Sequence, residues 1–327
     1  MHNEMQAALA ALKEKLLGQY EVRKTQAQKS AFIDWARAYA RDCGMEMTVE
    51  ESGKLVRTRS LVAGDPDTAK ILITAHYDTC ARMPFPNFMT PMNWPLIILT
   101  QLALPILFFG VLGGCAGYLM GMLFSHFDLS PFASFLLTET VWLGFVGAVV
   151  YLMLSGPANP HTANDNTSGT ALVLLAMRLL GARDGVAYVL FDNEEKGLLG
   201  SSAFSKRHPS AKKNALVINY DCISDGQTLL YACAKKAARH KMVQTMNEAM
   251  ARLAPKYGRQ AKSAVSPKVF YPSDQMNFVH GTAFAALKGK RVLYLDRIHT
   301  QNDTVFDDAN LLLLMESLQE TLGGAEK

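Results

Sequence analysis

Cysteine is scarce in this chain of 327 residues: the five present (Cys43, Cys80, Cys115, Cys222, Cys233) are odd in number, widely spaced and without a C-x-x-C pair. That excludes a disulfide framework and a four-cysteine zinc site, and reduced thiols in a reducing compartment are the simplest reading. An excess of either charge is missing too. With 33 Lys and Arg against 29 Asp and Glu the net charge is +4, and no basic cluster alternates with aromatics, so nucleic acid is not an expected partner. The sequence has no internal repeat and no low-complexity segment. Residues 1–24 mix Lys and Glu among Leu and Ala, the pattern of an amphipathic helix and not of a signal peptide.

Charge is also absent from two long stretches. Residues 94–124 have Gln101 as their only strongly polar side chain, and 132–154 have Glu139 as their only charge. Each exceeds the roughly 20 residues that cross a bilayer core as a helix. Soluble core helices rarely run so long uncharged, so a two-span transmembrane hairpin is expected, with Trp94, Trp142 and Tyr151 as interfacial anchors. The loop 125–131 has no Lys or Arg, whereas the flanking sequence carries nearly all the basic residues. The positive-inside tendency then assigns the flanking sequence to the cytoplasm and the loop to the outside of a cell membrane. In the first span Gly113, Gly117 and Gly121 recur every four residues, as do Gly110 and Gly114, a spacing that lets helix backbones approach closely. The second span, through Gly144, Gly147 and Ala148, is the expected partner, with a homodimer as the alternative. Pro105 should kink the first span.

The remainder reads as one α/β domain, formed by 1–85 and 159–327 and interrupted by the hairpin insertion 86–158. Helices are expected over 26–40, 169–180, 239–253 and 307–322, with another beginning at 198. Strands are expected within 45–62 and over 69–75, 186–192, 215–220, 228–233 and 292–295. Helices alternating with apolar strands imply a three-layer sandwich around a mixed, largely parallel sheet. In such sheets ligands gather at the carboxyl ends of the strands, where His76, Glu194, Glu195 and Asp221 fall. Asp165 and His299 belong to neighbouring loops. A two-metal hydrolase needs a carboxylate bridging cations about 3.5–4 Å apart, His and carboxylate ligands on each, and a free carboxylate to move a proton. Four acids converging in one cleft would repel one another, and divalent cations remove that conflict. Histidine and carboxylates favour zinc, with manganese or cobalt as substitutes.

Residues 24–81 and 159–322 resemble the co-catalytic di-zinc exopeptidases, a family that includes bacterial leucyl aminopeptidases and, more distantly, glutamate carboxypeptidases. The resemblance implies two Zn2+ ions: His76 and Asp221 on one, Glu195 and His299 on the other, and Asp165 bridging. Glu194 matches the general base and Asp78 the carboxylate that orients His76. Ser273-Asp274-Gln275-Met276-Asn277-Phe278 resembles an S-D-H-x-x-F block, with Gln275 where His is common, and assigns Asp274 to the substrate pocket. The implied reaction is peptide-bond hydrolysis, Glu194 taking a proton from the attacking water and returning it to the leaving amine. An aminopeptidase is expected, acidic groups holding the free α-amine. A carboxypeptidase would use Arg82 or Arg297, a glutaminyl cyclase would have one zinc and an incomplete ligand set, and an inactive membrane scaffold is opposed by the intact Glu194. His161 reads as a solvated loop residue, Cys80 and Cys222 as packed small residues, and His208, His240 and His280 as surface residues. Asp192 reads equally as support for the site and as a strand-end acid bonding backbone amides. Because the hairpin joins the loops carrying His76 and Asp165, the carboxyl edge of the sheet is expected to face the bilayer.

Overall fold

The computed structural model describes residues 2–83, 87–124, 126–127 and 129–324. Helix α1 (His2–Gln19) buries Met5, Leu9, Leu12 and Leu16, the single stripe that its sequence predicts. Helix α2 (Gln26–Asp42) starts on a capping box: the Thr25 hydroxyl accepts from the Gln28 amide, and the Gln28 side chain accepts from the Thr25 amide. Strands β1 (Met47–Ser52) and β2 (Thr58–Ala63) form an antiparallel pair, and β3 (Ile71–His76) follows with every residue buried.

The apolar stretches form two long helices. The first runs Trp94–Phe124, as α3 (Trp94–Ile98), a π turn (Leu99–Ala103) and α4 (Leu104–Phe124). Pro105 lacks the N–H that would bond the Gln101 carbonyl, and the ladder is irregular at that point. The second is α5 (Pro131–Ser155). Large apolar side chains stand out on both, Ile106 at 62%, Phe132 at 73% and Leu143 at 65% exposure, so these are not core helices. A Cβ on Gly113 would lie 3.0 Å from the Trp142 ring, and one on Gly117 would lie 3.9 Å from Thr138. The two helices therefore meet through Gly113, Gly117, Trp142 and Thr138. Gly144 and Gly147 take no part, and Trp142 is a packing residue and not an end anchor, because the indole fills the groove that the glycines leave. The 85/86 boundary and loop residues Ser125 and Asp128 lie outside the described residues.

The ends of the hairpin are tied together. Ala81 and Ala158 form an antiparallel bridge, the Arg82 amide donates to the Pro157 carbonyl (2.8 Å), and the Asn159 amide to that of Cys80 (3.2 Å). At the base of the first helix the Trp94 indole N–H donates to Pro267 (2.8 Å) and its ring lies 5.3 Å from that of Phe270.

After the hairpin come α6 (Gly169–Leu180), β4 (Val186–Phe191), α7 (Leu199–Arg207), α8 (Pro209–Asn214), β5 (Leu216–Tyr220), β6 (Thr228–Cys233), α9 (Lys241–Leu253), β7 (Gln260–Val265), β8 (His280–Leu287) and α10 (Asp308–Gly324). The sheet order is β1-β2-β4-β3-β5-β8-β6-β7, with β4, β3, β5 and β8 a continuous parallel block. Alternation along the strands divides the core. Ile71, Ile73, Tyr188 and Ile218 pack with α1, α2, α6, α9 and α10, while Leu72, Val189 and Val217 pack with Phe204 and Ala211 of α7 and α8. The fold is thus a mixed α/β sandwich.

Three expectations need correction. The strand expected at 292–295 is only a pair of isolated bridges, Lys288 to Tyr294 and Met89 to Leu295, because the neighbouring sheet position is filled by β8. Neither β8, rich in Ala and Gly, nor the polar edge strand β7 carries the β-branched signal of a strand. His208 is not a surface residue: it is buried, bonding Asp67 and Glu50 at 2.8 Å each, and His240 and His280 are half-buried, with His240 capping α9.

Candidate metal centre

Three adjacent parallel strands, β4, β3 and β5, end at one edge of the sheet and deliver Asp192 to Glu195, His76 and Asp221 side by side. Loops before α6 and before α10 add Asp165 and His299. His76 Nε2 lies 3.3 Å from Asp165 Oδ1 and 3.4 Å from Asp221 Oδ1, and His299 Nε2 lies 3.1 Å from Asp165 Oδ2 and 3.2 Å from Glu195 Oε2. The two oxygens of Asp165 thus face two different imidazoles, each of which has a further carboxylate beside it. All five residues expected as ligands meet here.

The backbone around them is fixed by buried polar groups. Asp303 accepts from the Asn164 and Asp165 amides (2.9 and 3.0 Å), and Asn164 Oδ1 accepts from the Ser224 and Asp225 amides (2.7 and 2.9 Å). A Cβ on Gly169 would lie 2.1 Å from the Tyr220 carbonyl, so the close approach of α6 to the end of β5 requires glycine. Asp78 supports two ligand segments at once: its carbonyl meets His76 Nδ1 at 3.1 Å, and its carboxylate accepts from the Glu194 and Glu195 amides (3.0 and 3.4 Å). Asp78 therefore orients His76 mainly through its backbone, since Oδ1 stands 3.6 Å from the ring. Asp192 takes both roles expected of it, accepting the Arg59 and Asn193 amides (2.8 Å each) and pairing with the buried Lys29, which also donates to Asn193 (2.8 Å). Arg23, fully buried, donates to the Tyr77 carbonyl and to Thr167 Oγ1 (3.2 Å), stitching the His76 and Asp165 segments together. Lys29 and Arg23 carry no motif signal, whereas Asp303 lies in the block 298–304 that resembles the family's last ligand motif. Only the position of Lys29 and Arg23 in a run that would otherwise be solvated helix or loop could have marked them.

The electrostatics follow from placing acids in a dry cleft. Burial pushes Glu195 up to about 8, and Asp274 up to about 7. Glu194, near-buried beside Glu195, Asp221 and Asp274, is raised well above the usual range by burial first and by those neighbours next. Burial alone would lower His299, but Glu195 and Asp165 lift it to about 9, and His76 is raised likewise by Glu194, Asp165 and Asp221. Asp165 goes the other way: burial opposes ionisation, but hydrogen bonding to His299 and His76 holds it below the ordinary carboxylate value. His76 Nε2 and Glu195 Oε1 are buried without a hydrogen-bond partner, although both lie among oppositely polarised atoms. That is a donor set shaped for cations. His76, Asp165 and Asp221 offer ligand atoms within 4.8 Å of one another, as do His76, Glu194 and Glu195, and Cys80, Glu195 and His299.

Asp274 is also buried, with Ser201 as a polar neighbour outside the cluster and no close hydrogen bond, and near enough to His76, Asp78 and Asp221 to feel their charges. His161 stays outside, 3.4 Å from Glu21 with its side chain 45% exposed. Cys222 donates to Asp221 Oδ1 (3.2 Å), and Cys80 is buried.

The fold is shared with solved structures. Glutaminyl cyclase from Porphyromonas gingivalis is 17% identical with a TM-score of 0.61, each chain covered to 98%. A leucine aminopeptidase precursor from Bacteroides thetaiotaomicron VPI-5482 is 13% identical, TM-score 0.56, covering 97% of this chain and 96% of that one. A Zn-dependent exopeptidase from Parabacteroides distasonis ATCC 8503 is 15% identical, TM-score 0.55, covering 98% and 96%. No curated protein matches the chain. The model of Peptidase family M28 matches residues 118–317, which include Asp165, Glu194, Glu195, Asp221 and His299, and with the converging His and carboxylate cluster this makes the chain a member of peptidase family M28.

Proposed function

We propose that the chain is a membrane-anchored aminopeptidase holding two zinc ions, His76, Asp221 and Asp165 Oδ1 around one and His299, Glu195 and Asp165 Oδ2 around the other. The observation that carries this reading is the split of the Asp165 carboxylate between two imidazoles at 3.3 and 3.1 Å. Bound zinc supplies Lewis-acid polarisation of a carbonyl and acidifies water. Glu194 is the one carboxylate of the cluster left over for proton transfer: an Oε atom takes the proton of the attacking water and returns it to the leaving amine nitrogen. Asp78 holds Glu194 in place through its amide. Asp274 supplies an unpaired buried carboxylate suited to a free α-ammonium group, which favours an aminopeptidase over a carboxypeptidase. A panel of aminoacyl amides, N-acylated peptides with free carboxyl termini and N-terminal glutaminyl peptides tests the reading. Release of N-terminal residues is expected. Cleavage confined to carboxyl termini, or conversion of glutaminyl peptides to pyroglutamyl products without hydrolysis, would reject it.

The membrane part of the reading rests on two exposed apolar helices of 31 and 25 residues. With the basic residues flanking them, the peptidase domain is cytoplasmic and the loop between the helices is outside. A tag inserted in the loop next to Phe127 should react with an impermeant label in intact cells, and one at the C-terminus only after lysis. The opposite pattern would reverse the topology. The hairpin stem reaches the metal centre itself, since the Met83 amide donates to the His299 carbonyl (2.7 Å). The cleft then lies at the bilayer end of the domain, a setting for peptides at or leaving the lipid surface.

A further inference from the structure

Resting on the metal reading above, we infer that Cys80 is a fourth protein ligand to the zinc at His299, so that the two metals of this enzyme are chemically unlike. Cys80 follows His76 by four residues, on the loop that leaves β3 toward the hairpin, and is 1% exposed. Its Sγ and the ligand atoms of Glu195 and His299 lie within 4.8 Å of one another. Glu195 points into the same space: its side chain is 7% exposed, Oε2 meets His299 Nε2, and Oε1 is buried with no hydrogen-bond partner. The loop is pinned, since the Cys80 carbonyl accepts from Asn159 and the next residue, Ala81, is bridged to Ala158. Zinc–sulfur bonds of about 2.3 Å and zinc–nitrogen or zinc–oxygen bonds of about 2.0–2.2 Å fit donors grouped this tightly after small side-chain rotations.

Counting donors separates the two sites. With Glu194 kept as the base, Asp165 Oδ2, Glu195 and Cys80 fall to the ion at His299, four protein donors with the imidazole, and Asp165 Oδ1 and Asp221 to the ion at His76, three with the imidazole. Four protein ligands close a zinc site and three leave a position open. Glu194, whose ligand atom groups with those of His76 and Glu195, stands beside both sites. On this count the His76 site would keep a position for substrate, and the His299 site would hold the shared carboxylate in place. Ligation converts the Cys80 thiol to thiolate as the sulfur–zinc bond forms, with the proton passing to solvent and no change of oxidation state.

Zinc-edge X-ray absorption of the wild-type protein is the direct test and needs no variant. A sulfur scatterer in the zinc shell at about 2.3 Å is expected, and a shell of nitrogen and oxygen alone overturns the proposal. The cobalt-substituted protein gives a second readout. The wild type should show an intense near-ultraviolet thiolate-to-cobalt band that disappears in Cys80→Ser, with cobalt content retained, and persists in Cys222→Ser. A band that survives Cys80→Ser, or one abolished only by Cys222→Ser, overturns the assignment. A protein that binds no metal fails the metal reading itself, whereas metal binding without sulfur fails only this inference.

Discussion

Glu194→Gln is expected to keep its metal and to lose about 10²–10⁴-fold in kcat, the range that positioned proton transfer contributes. The amide retains the size of the side chain, the Glu194 backbone bond to Asp78 is untouched, and the Asp165, His76, Asp221, His299 and Glu195 contacts do not involve it. What goes is the carboxylate that the reading leaves unassigned to a metal or to the α-ammonium group. KM should change little, because no substrate charge is removed. Turnover within a few-fold of wild type would end the assignment of Glu194 as the base, and loss of metal in the variant would make it a ligand instead.

Asp165→Ala should have the opposite signature, in which activity falls because metal content falls. Both imidazoles approach the same carboxylate, so its removal takes one oxygen donor from each half of the site. Elemental analysis should drop from two metals per chain to less than one. The zinc-dependent rise in melting temperature, which follows the ratio of free zinc to its dissociation constant, should vanish with it. Folding should survive, since the Asp303 clamp binds the backbone amides of Asn164 and Asp165 and not the deleted carboxylate. A variant that still binds both metals would separate the two half-sites and remove the bridging role.

The residues that converge in the candidate site were largely legible because metal-binding chemistry draws on few side-chain types. His76, Asp165, Glu194, Glu195, Asp221 and His299 announce themselves at strand ends and in short polar blocks whatever the intervening sequence. The parallel block was legible for a related reason: strands buried on both faces, such as ILITAH and VAYVLF, must be continuously apolar. β8 was not, because Ala and Gly let it lie close between β5 and β6 without any β-branched residue beyond Thr282. The supporting cations were hidden for a different reason. Lys29 sits in a helix sequence that reads as solvated, and Arg23 in the turn before it. Only the folded chain shows that each neutralises or bonds a ligand-bearing segment from behind.

The position of the hairpin also dictates an order of events during synthesis. β3 is the innermost strand by chain history, yet both of its neighbours, β4 and β5, are encoded after the two long helices. When His76 has left the ribosome it has no strand to pair with and no acid to meet, and only the β1–β2 pair can form. The apolar helices emerge next, before the remaining half of the sheet exists. Closure of the sheet, and with it assembly of the centre from His76 on one side and Asp165 on the other, is therefore the last step. Until β4 and β5 follow, β3 waits unpaired beside two exposed apolar helices. The cluster of His and carboxylate side chains is thereby completed only after both long helices have been made.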